Sequence, residues 1–249
     1  MRTSRALGPL AALLMVALTP TEALAADRTT STAPQPTAIE PKQQYRTGIY
    51  TDGIGPAIPN DQVGFAGRLT DSDTGDPVPN ATVTLQRRLR GEKGWTAIDS
   101  GKTEPARSKN AGWAVFTTDV VGNGRYRISF AGQGGHAASV SAPMKLRAMR
   151  DLNARLVERG TGARKRVSLA GNINPGWESR QVLWQRKKCG TCHWQRISQR
   201  KASRTGGWHF RAAYPPLHRS WFYRAKVRKT DRFVASYSRV LRTRTVAGR

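Results

Sequence analysis

The sequence predicts an all-β protein that consists of two tandem copies of one β-sandwich. Three observations lead to this prediction. From Gln44 onward, short apolar runs alternate with clusters of Gly, Pro, Asn and Asp, and no long window has the period of a helix. Within the runs, apolar and polar residues alternate with a period of two, as in Arg125–Phe130. Finally, the whole pattern occurs twice along the chain.

The repeat is clearest in two hairpin sequences, Ala81–Ile98 and Arg180–Ile197, which align without a gap. Further matches follow in the same order on both sides of the hairpins, so chance similarity is a poor explanation. We therefore expect two homologous domains of about 100 residues each, at residues 44–147 and 148–249.

Alternation decides which side of each strand is buried. Tyr126, Ile128 and Phe130 share one face, whereas Arg125, Arg127 and Ser129 share the other, and Phe222–Val227 repeats the pattern. This is typical of an antiparallel sheet with one buried side. About seven such strands per copy predict an immunoglobulin-like sandwich. In each hairpin a tryptophan and an isoleucine lie three residues apart, so both can face the core only if a bulge intervenes.

The N-terminal region has a different character. Met1–Ala25 has two arginines, an apolar run from Leu10 to Leu18 and a small-residue cleavage site, which is typical of a secretory signal peptide. The run is shorter than the roughly 20 residues of a spanning helix, and no later stretch is longer, so we expect no transmembrane segment. Residues 26–43 are rich in Thr, Ser, Pro and Ala and are expected to be a disordered linker. The mature chain is expected to be secreted or held at a cell surface.

The net charge of +26 is unevenly distributed. Residues 27–147 carry 15 basic and 11 acidic residues, whereas residues 148–249 carry 25 basic and 4 acidic ones. A strongly basic second domain can bind anionic cell-wall polymers, other polyanions or, nonspecifically, nucleic acid. An even scatter of charge that serves only solubility is the alternative. The candidate polyanion-binding residues are Arg186, Lys187, Lys188, Arg196, Arg224, Lys226 and Arg228.

Cys189, Cys192 and His193 have the spacing of a c-type haem attachment site, so a secreted redox or haem protein is one hypothesis. The motif lies at a hairpin tip, however, and the first copy has no cysteines there. A thioredoxin-like pair would need a following helix, and zinc would need further ligands. We therefore expect a structural disulfide between Cys189 and Cys192, which stabilises by at most roughly 2 kcal/mol, with no cofactor and no metal.

Two other patterns have a chemical and a structural interpretation. Asp71–Asp76 begins like a calcium loop, but Thr82 stands where the bidentate glutamate belongs, so turn chemistry is favoured. Aromatic residues interleave with the basic ones, which is typical of carbohydrate or single-strand recognition. Trp184 and Trp194 have partners in the repeat and can equally be core residues, whereas Trp221 has none and is the candidate exposed aromatic.

Catalytic motifs are missing from the sequence. It has no nucleophile elbow, phosphate loop or histidine-rich metal helix, and the few carboxylates of the second domain show no pairing of the glycosidase kind. We therefore expect a non-enzymatic protein with no catalytic residues.

Phe65–Leu69 and Asp73–Leu85 resemble bacterial Ig-like and transthyretin-like domains of secreted proteins. The repeat as a whole resembles tandem Ig-like domains that actinobacteria export. The resemblance implies a structural or adhesive module outside the cell, and it brings no catalytic residues. The second copy departs from the pattern, since it lacks the Asp-rich turn after Gly171 and has the two cysteines.

Overall fold

The computed structural model describes residues 33–45, 56–59, 61–160, 165–176, 180–213 and 221–243. The predicted signal peptide and residues 26–32 of the predicted linker lie outside these ranges. All regular elements within them are β-strands. No described segment forms a helix long and apolar enough to cross a membrane.

The strands of the first domain are β1 (Thr37–Tyr45), β2 (Gln62–Asp71), β3 (Thr82–Leu89), β4 (Thr96–Lys102), β5 (Trp113–Asp119), β6 (Gly124–Phe130), β7 (Ser139–Val140) and β8 (Met144–Leu146). Those of the second domain are β9 (Asp151–Arg159), β10 (Arg166–Asn174), β11 (Gln181–Lys187), β12 (Gln195–Lys201), β13 (Trp208–Ala213), β14 (Phe222–Val227), β15 (Ser236–Tyr237) and β16 (Leu241–Arg242).

The first domain is a sandwich of two antiparallel sheets. One has the strand order β1-β2-β5, and the other has the order β4-β3-β6-β7, with β8 also paired to β6. The alternating apolar residues of both sheets meet in one core. At its centre the rings of Phe65 and Tyr126, which come from opposite sheets, stack with centroids 4.3 Å apart. Both side chains are fully buried, as the period-two pattern predicts.

The second domain repeats this topology strand for strand. Its sheets have the orders β9-β10-β13 and β12-β11-β14-β15, with β16 also paired to β14. Trp184 lies at the centre of the core, with its ring centroid 5.6 Å from that of Phe210 and 5.7 Å from that of Tyr223. The predicted fold class of two tandem immunoglobulin-like sandwiches is thus confirmed. The domain boundary at residues 147 and 148 stays a prediction.

A bulge occurs at the same place in the β3–β4 and β11–β12 hairpins. The unpaired residue, Ile98 or Ile197, packs against the core of its own domain. The preceding tryptophan, Trp95 or Trp194, is half-buried on the outer side of the sheet. The bulge expected from the odd spacing is therefore present, but it turns only the isoleucine inward. Of the two tryptophans considered as core residues, Trp184 is buried and Trp194 is not.

The prediction of a disordered linker over residues 26–43 is wrong from Thr37 onward. Residues 37–45 form β1, which pairs with β2 along its whole length. Among residues 37–42, the part of β1 whose burial is described, Ile39 is the one buried residue. The prediction failed because backbone hydrogen bonds to β2 hold the strand, and the side-chain pattern does not reveal them. Gly67 makes room for the strand, since a Cβ there would lie 2.6 Å from Ile128 and 3.1 Å from Ile39.

The Asp-rich segment after β2 is a tight turn. The buried carboxylate of Asp71 accepts hydrogen bonds at Oδ1 from the backbone N–H groups of Asp73 (2.9 Å) and Thr74 (3.1 Å). The N–H of Gly75 donates to the Asp71 carbonyl at 3.0 Å. A carboxylate that closes its own chain in this way is an Asx turn, the interpretation that the sequence favours.

A loop of the second domain, residues 228–235, joins the two sandwiches; we call it the junction loop. Its Phe233 is buried in the core of the first domain, under the guanidinium of Arg150, whose Cζ lies 4.2 Å from the ring centroid. A side chain that belongs to the second domain by sequence thus contributes its apolar surface to the first.

Asn123, in the turn between β5 and β6, makes the polar part of the same junction. Its backbone N–H donates to the carbonyl of Arg232 at 2.6 Å, and its Nδ2 donates to that of Asp231 at 3.1 Å. Its Oδ1 accepts from the N–H of Ala148 at 2.9 Å. One carboxamide therefore holds the turn, the interdomain segment and the junction loop together. The nearby ion pair between Arg90 and Asp231 is exposed and adds little.

From the packing of the junction loop we predict that a substitution in the second domain destabilises the first domain. Phe233→Ala removes a buried ring from the first core and should lower the free energy of unfolding of that sandwich by about 3–5 kcal/mol. Hydrogen exchange read by mass spectrometry should show faster exchange in β6 and β8. Val240→Ala, at an exposed position of the second domain, is the control. Unchanged exchange in the first domain of Phe233→Ala would contradict the proposed packing.

Burial raises the pKa of Tyr126 to about 12, against the opposing charge of Arg87. The usual value is about 10, so the unfolded state loses its phenolic proton first. The contribution of Tyr126 to stability is therefore fully present below pH 10 and is lost as the pH rises from about 10 to 12. Between pH 9 and 12, the free energy of unfolding of the wild type, measured by urea unfolding, should fall by about 2–3 kcal/mol more than that of Tyr126→Phe. If the free energies of unfolding of both proteins fall equally over this range, the prediction is wrong.

Candidate functional site

The outer side of the larger sheet of the second domain carries cations and aromatic rings in alternation. Strand pairing brings them together, because Lys187 lies opposite Phe222, Phe222 lies opposite Arg242, and Lys226 lies opposite Tyr237. The bulge in the β11–β12 hairpin adds Trp194 to the same side. We call this surface the cation–aromatic face, and its members are Lys187, Trp194, Phe222, Arg224, Lys226, Tyr237 and Arg242.

Each cation of the face lies against at least one ring. The guanidinium carbon of Arg224 lies 4.2 Å from the ring centroid of Trp194 and 4.3 Å from that of Tyr237. The ammonium of Lys187 lies 5.0 Å from Trp194 and 5.6 Å from Phe222. Lys226 and Arg242 approach Tyr237 and Phe222 at 5.3 Å and 5.4 Å. Such contacts stabilise by about 0.5–2 kcal/mol each, so they fix the positions of the charges.

Arg224 is the most constrained cation of the face. Its Nε donates a hydrogen bond to Oε1 of Gln185 at 2.9 Å. Burial lowers the pKa of its guanidinium, and the Tyr237 hydroxyl opposes the shift. A guanidinium nevertheless stays charged in proteins. It has five N–H donors, and Gln185 uses one of them, so donors remain for an anion.

The charge of the face is not neutralised within the described part of the chain. The ion pairs there lie elsewhere, between Arg90 and Asp231, Lys165 and Glu158, and Arg232 and Glu92. A row of fixed cations without carboxylates produces a positive potential over the sheet, which attracts anions at low salt.

Part of the face occurs in both domains. In the first domain, Arg127 donates from Nε to Oε1 of Gln86 at 2.7 Å, and its Cζ lies 4.2 Å from the ring centroid of Trp95. The distances match those of Arg224 with Gln185 and Trp194. A glutamine–arginine–tryptophan group that both copies share is best explained as part of the sheet framework.

Lys187 and Arg242 also have cationic counterparts in the first domain, Arg88 and Lys145, but the remaining three positions of the face differ between the domains. Strand register shows that aromatic or basic residues replace three residues of the first domain. The replacements are Phe222 for Arg125, Lys226 for Ser129 and Tyr237 for Val140. These positions distinguish a specialised surface from the common framework.

The structure distributes the predicted polyanion-binding residues over several surfaces. Lys187, Arg224 and Lys226 belong to the cation–aromatic face, and Arg196 of β12 is exposed on the same outer side of the sheet, opposite Gln185, whereas Arg228 lies beyond the end of β14. Arg186 and Lys188 lie over the ring of Trp221 instead, at 4.5 Å and 5.8 Å. Sequence reasoning missed Tyr237 and Arg242, whose strands are only two residues long and show no alternation.

The expectation that Trp221 is an exposed aromatic is wrong. Trp221 is 6% exposed and belongs to the core of the second domain. Its backbone N–H donates to Oγ1 of Thr243 at 3.0 Å, and its carbonyl accepts from the Thr243 N–H at 3.1 Å. The prediction rested on the lack of a counterpart to Trp221 in the first copy. That lack does not imply exposure, because in the second domain the guanidinium of Arg186 and the ammonium of Lys188 lie over the ring.

Cys189 and Cys192 form a disulfide across the hairpin tip, as predicted. Haem attachment needs both sulfurs for thioether bonds, and here they are bonded to each other. The tip also contacts the cation–aromatic face, because Nζ of Lys187 donates to the carbonyl of Gly190. In the first domain the tip is held by Glu92, whose Oε2 accepts from the N–H of Leu89 at 2.8 Å.

Comparisons with known proteins leave the family open. No protein-family model and no curated protein matches the sequence. The resemblance to exported actinobacterial Ig-like domains therefore stays a prediction.

Solved structures that resemble the chain include the human OSCAR ligand-binding domain, with 12% identity, coverage of 84% of this chain and 99% of that chain, and a TM-score of 0.28. A tetra-tandem repeat from the extending region of a large adhesion protein has 13% identity, coverage of 83% and 49%, and a TM-score of 0.36. The chicken interferon gamma receptor alpha chain has 8% identity, coverage of 85% and 98%, and a TM-score of 0.42. These TM-scores are too low to support an argument, so the fold assignment rests on the strand pairing.

The burial of Trp221 predicts a stability effect rather than a binding effect. Trp221→Ala should lower the free energy of unfolding by about 3–5 kcal/mol, as expected for a large core residue. The matched variant Trp194→Ala, at a half-buried position, should cost only about 1–2 kcal/mol, mostly through lost cation–π contacts. Urea unfolding of both variants tests this, and equal losses would show that Trp221 is not a core residue.

Proposed function

We propose that this chain is a non-enzymatic, exported scaffold or adhesive protein that attaches to anionic polymers through the cation–aromatic face. The observation that carries the proposal is the stacking of Lys187, Arg224, Lys226 and Arg242 on aromatic rings, without a neutralising carboxylate among the described residues. The predicted signal peptide supports a location outside the cell, where the chain can meet anionic cell-wall polymers.

The geometry of the face favours charge-driven attachment. Its cations project from paired strands and rest on rings, so little side-chain entropy is lost when an anion binds. The described residues form no helix that could enter a DNA groove, so nucleic acid is expected to bind through its phosphates without sequence preference. The preferred partner is therefore a linear polyanion.

Binding of an uncharged glycan is the second candidate, and Tyr237 favours it, since 41% of its surface is exposed. Sugar recognition needs a free ring face. The guanidinium of Arg224 lies 4.3 Å from the centroid of Tyr237 and 4.2 Å from that of Trp194. Because cations already occupy these ring faces, the charged partner is the better proposal.

The test removes three charges of the face together. Lys187→Gln/Lys226→Gln/Arg242→Gln in the full chain should weaken binding to teichoic acid, heparin and DNA at low salt by at least about tenfold. The slope of log K against log salt should become shallower by about 2–3, because each cation releases about one counterion. The full chain is required because Phe233 packs into the first domain.

The matched control is Arg200→Gln/Lys201→Gln/Arg211→Gln, which removes the same charge from exposed positions outside the face. An equal loss of affinity in both triple variants would show that binding follows net charge and would reject the face. No binding by the wild type at low salt would reject the polyanion partner. Retention on an insoluble neutral glycan at high salt, abolished by Tyr237→Ala, would favour the second candidate.

A further inference from the structure

Three cations of the first domain lie side by side across neighbouring strands. Arg88 of β3 is opposite Arg125 of β6, and Arg125 is opposite Lys145 of β8. Directly opposed residues of antiparallel strands have Cβ atoms about 5 Å apart, and like charges at this distance destabilise a sheet. Arg88 has a compensating cation–π contact, since its Cζ lies 4.8 Å from the ring centroid of Trp95, but no such contact is described for Arg125 or Lys145. The centre of the row therefore needs an explanation other than stability.

The row continues into a concavity beside the junction loop. Arg90 and Arg147 line it together with the three cations of the row, and Val234 of the junction loop forms part of its wall. Its volume is about 640 Å³. We call this site the junction concavity. It is not apparent from composition, because residues 27–147 as a whole are almost balanced in charge.

Little within the described chain neutralises this charge. Glu92 is the carboxylate among the lining residues, and it is already engaged, since Oε2 accepts from the Leu89 N–H at 2.8 Å and Oε1 lies 3.9 Å from Nη2 of Arg232. Arg90 pairs with Asp231 at 3.7 Å on the exposed rim. The described ion pairs include neither Arg125 nor Lys145.

The fold does not require the row. At the equivalent positions of the second domain, Lys187 lies opposite Phe222, and Phe222 lies opposite Arg242. The same sheet thus accepts an aromatic residue at the central position, where it separates the two cations. The arginine at position 125 is a specific feature of the first domain.

We propose that the junction concavity binds a ligand that presents two or three phosphate or sulfate groups about 5 Å apart. Arginine suits such groups because its planar guanidinium donates two parallel hydrogen bonds to one oxyanion. The concavity shares no residue with the cation–aromatic face, so this proposal stands independently of the proposed function. Because the junction loop walls the site, a bound oxyanion should also stabilise the docked loop.

The test uses the full chain with two probes, tripolyphosphate and a sulfated heparin hexasaccharide, which distinguish phosphate from sulfate as the source of the charge. Arg125→Phe/Lys145→Gln replaces the centre of the row with the residue that the second domain already has there. Titration calorimetry at low salt should show an affinity at least about tenfold lower for the preferred probe. Without ligand, the variant should unfold at a higher temperature than the wild type, because repulsion is relieved.

Two controls keep the outcomes distinct. Arg107→Gln/Lys109→Gln removes the same charge from exposed positions of the first domain, and the triple variant of the cation–aromatic face leaves the row intact. The first control should bind either probe within about twofold of the wild type. The face variant should bind tripolyphosphate within about twofold, whereas its heparin binding is expected to fall because the face itself is proposed to bind heparin. An equal loss in the first control, a loss of tripolyphosphate binding confined to the face variant, or no binding of either probe by the wild type would each overturn the junction site. None of these results decides whether the cation–aromatic face binds polymers, which its own test establishes.

Discussion

The docking of the junction loop is the constraint on which the surfaces of this protein depend. Asn123 donates two hydrogen bonds to carbonyls of the junction loop and accepts one each from the N–H groups of Ala148 and Arg90, and Phe233 fills part of the first core. The junction loop also connects β14, which carries Arg224 and Lys226, to β15, which carries Tyr237. The packing that joins the domains therefore also positions two strands of the cation–aromatic face and one wall of the junction concavity. Gly122 permits the close approach, because a Cβ there would lie 2.9 Å from a junction-loop carbonyl.

One framework is used twice with different outer surfaces. The two domains share strand order, the position of a bulge and a glutamine–arginine–tryptophan group with nearly the same distances. They differ where strands pair on the outer side of the larger sheet. The first domain places arginine between two cations, and the second places phenylalanine there. A small change in sequence thus gives the first domain three adjacent cations, of which Arg88 alone is described over a ring, and gives the second a set of cations that all lie over rings.

The hairpin tips show a related difference. In the first domain, Glu92 folds back onto the N–H of Leu89 and secures the tip without a covalent bond. The second domain has few carboxylates, and its tip follows directly on Lys187 and Lys188, so this anchor is missing. The disulfide between Cys189 and Cys192 takes its place and keeps Gly190 where Lys187 can donate to it. The disulfide therefore occurs in the domain that has no carboxylate to hold its hairpin tip.

Local patterns were enough to predict the sandwich fold, the repeat and the disulfide. Alternation in Arg125–Phe130 identifies the buried face because a strand has a period of two wherever it occurs, and cysteines flanking a two-residue turn are close in any hairpin. Tertiary structure alone decided that Trp221 is buried, that residues 37–45 form a strand and that Phe233 packs into the core of the neighbouring domain. It also brought Arg88, Arg125 and Lys145 into one row. These features depend on which distant segments pack together. Contacts between residues far apart in the sequence do not show in the local periodicity of either segment.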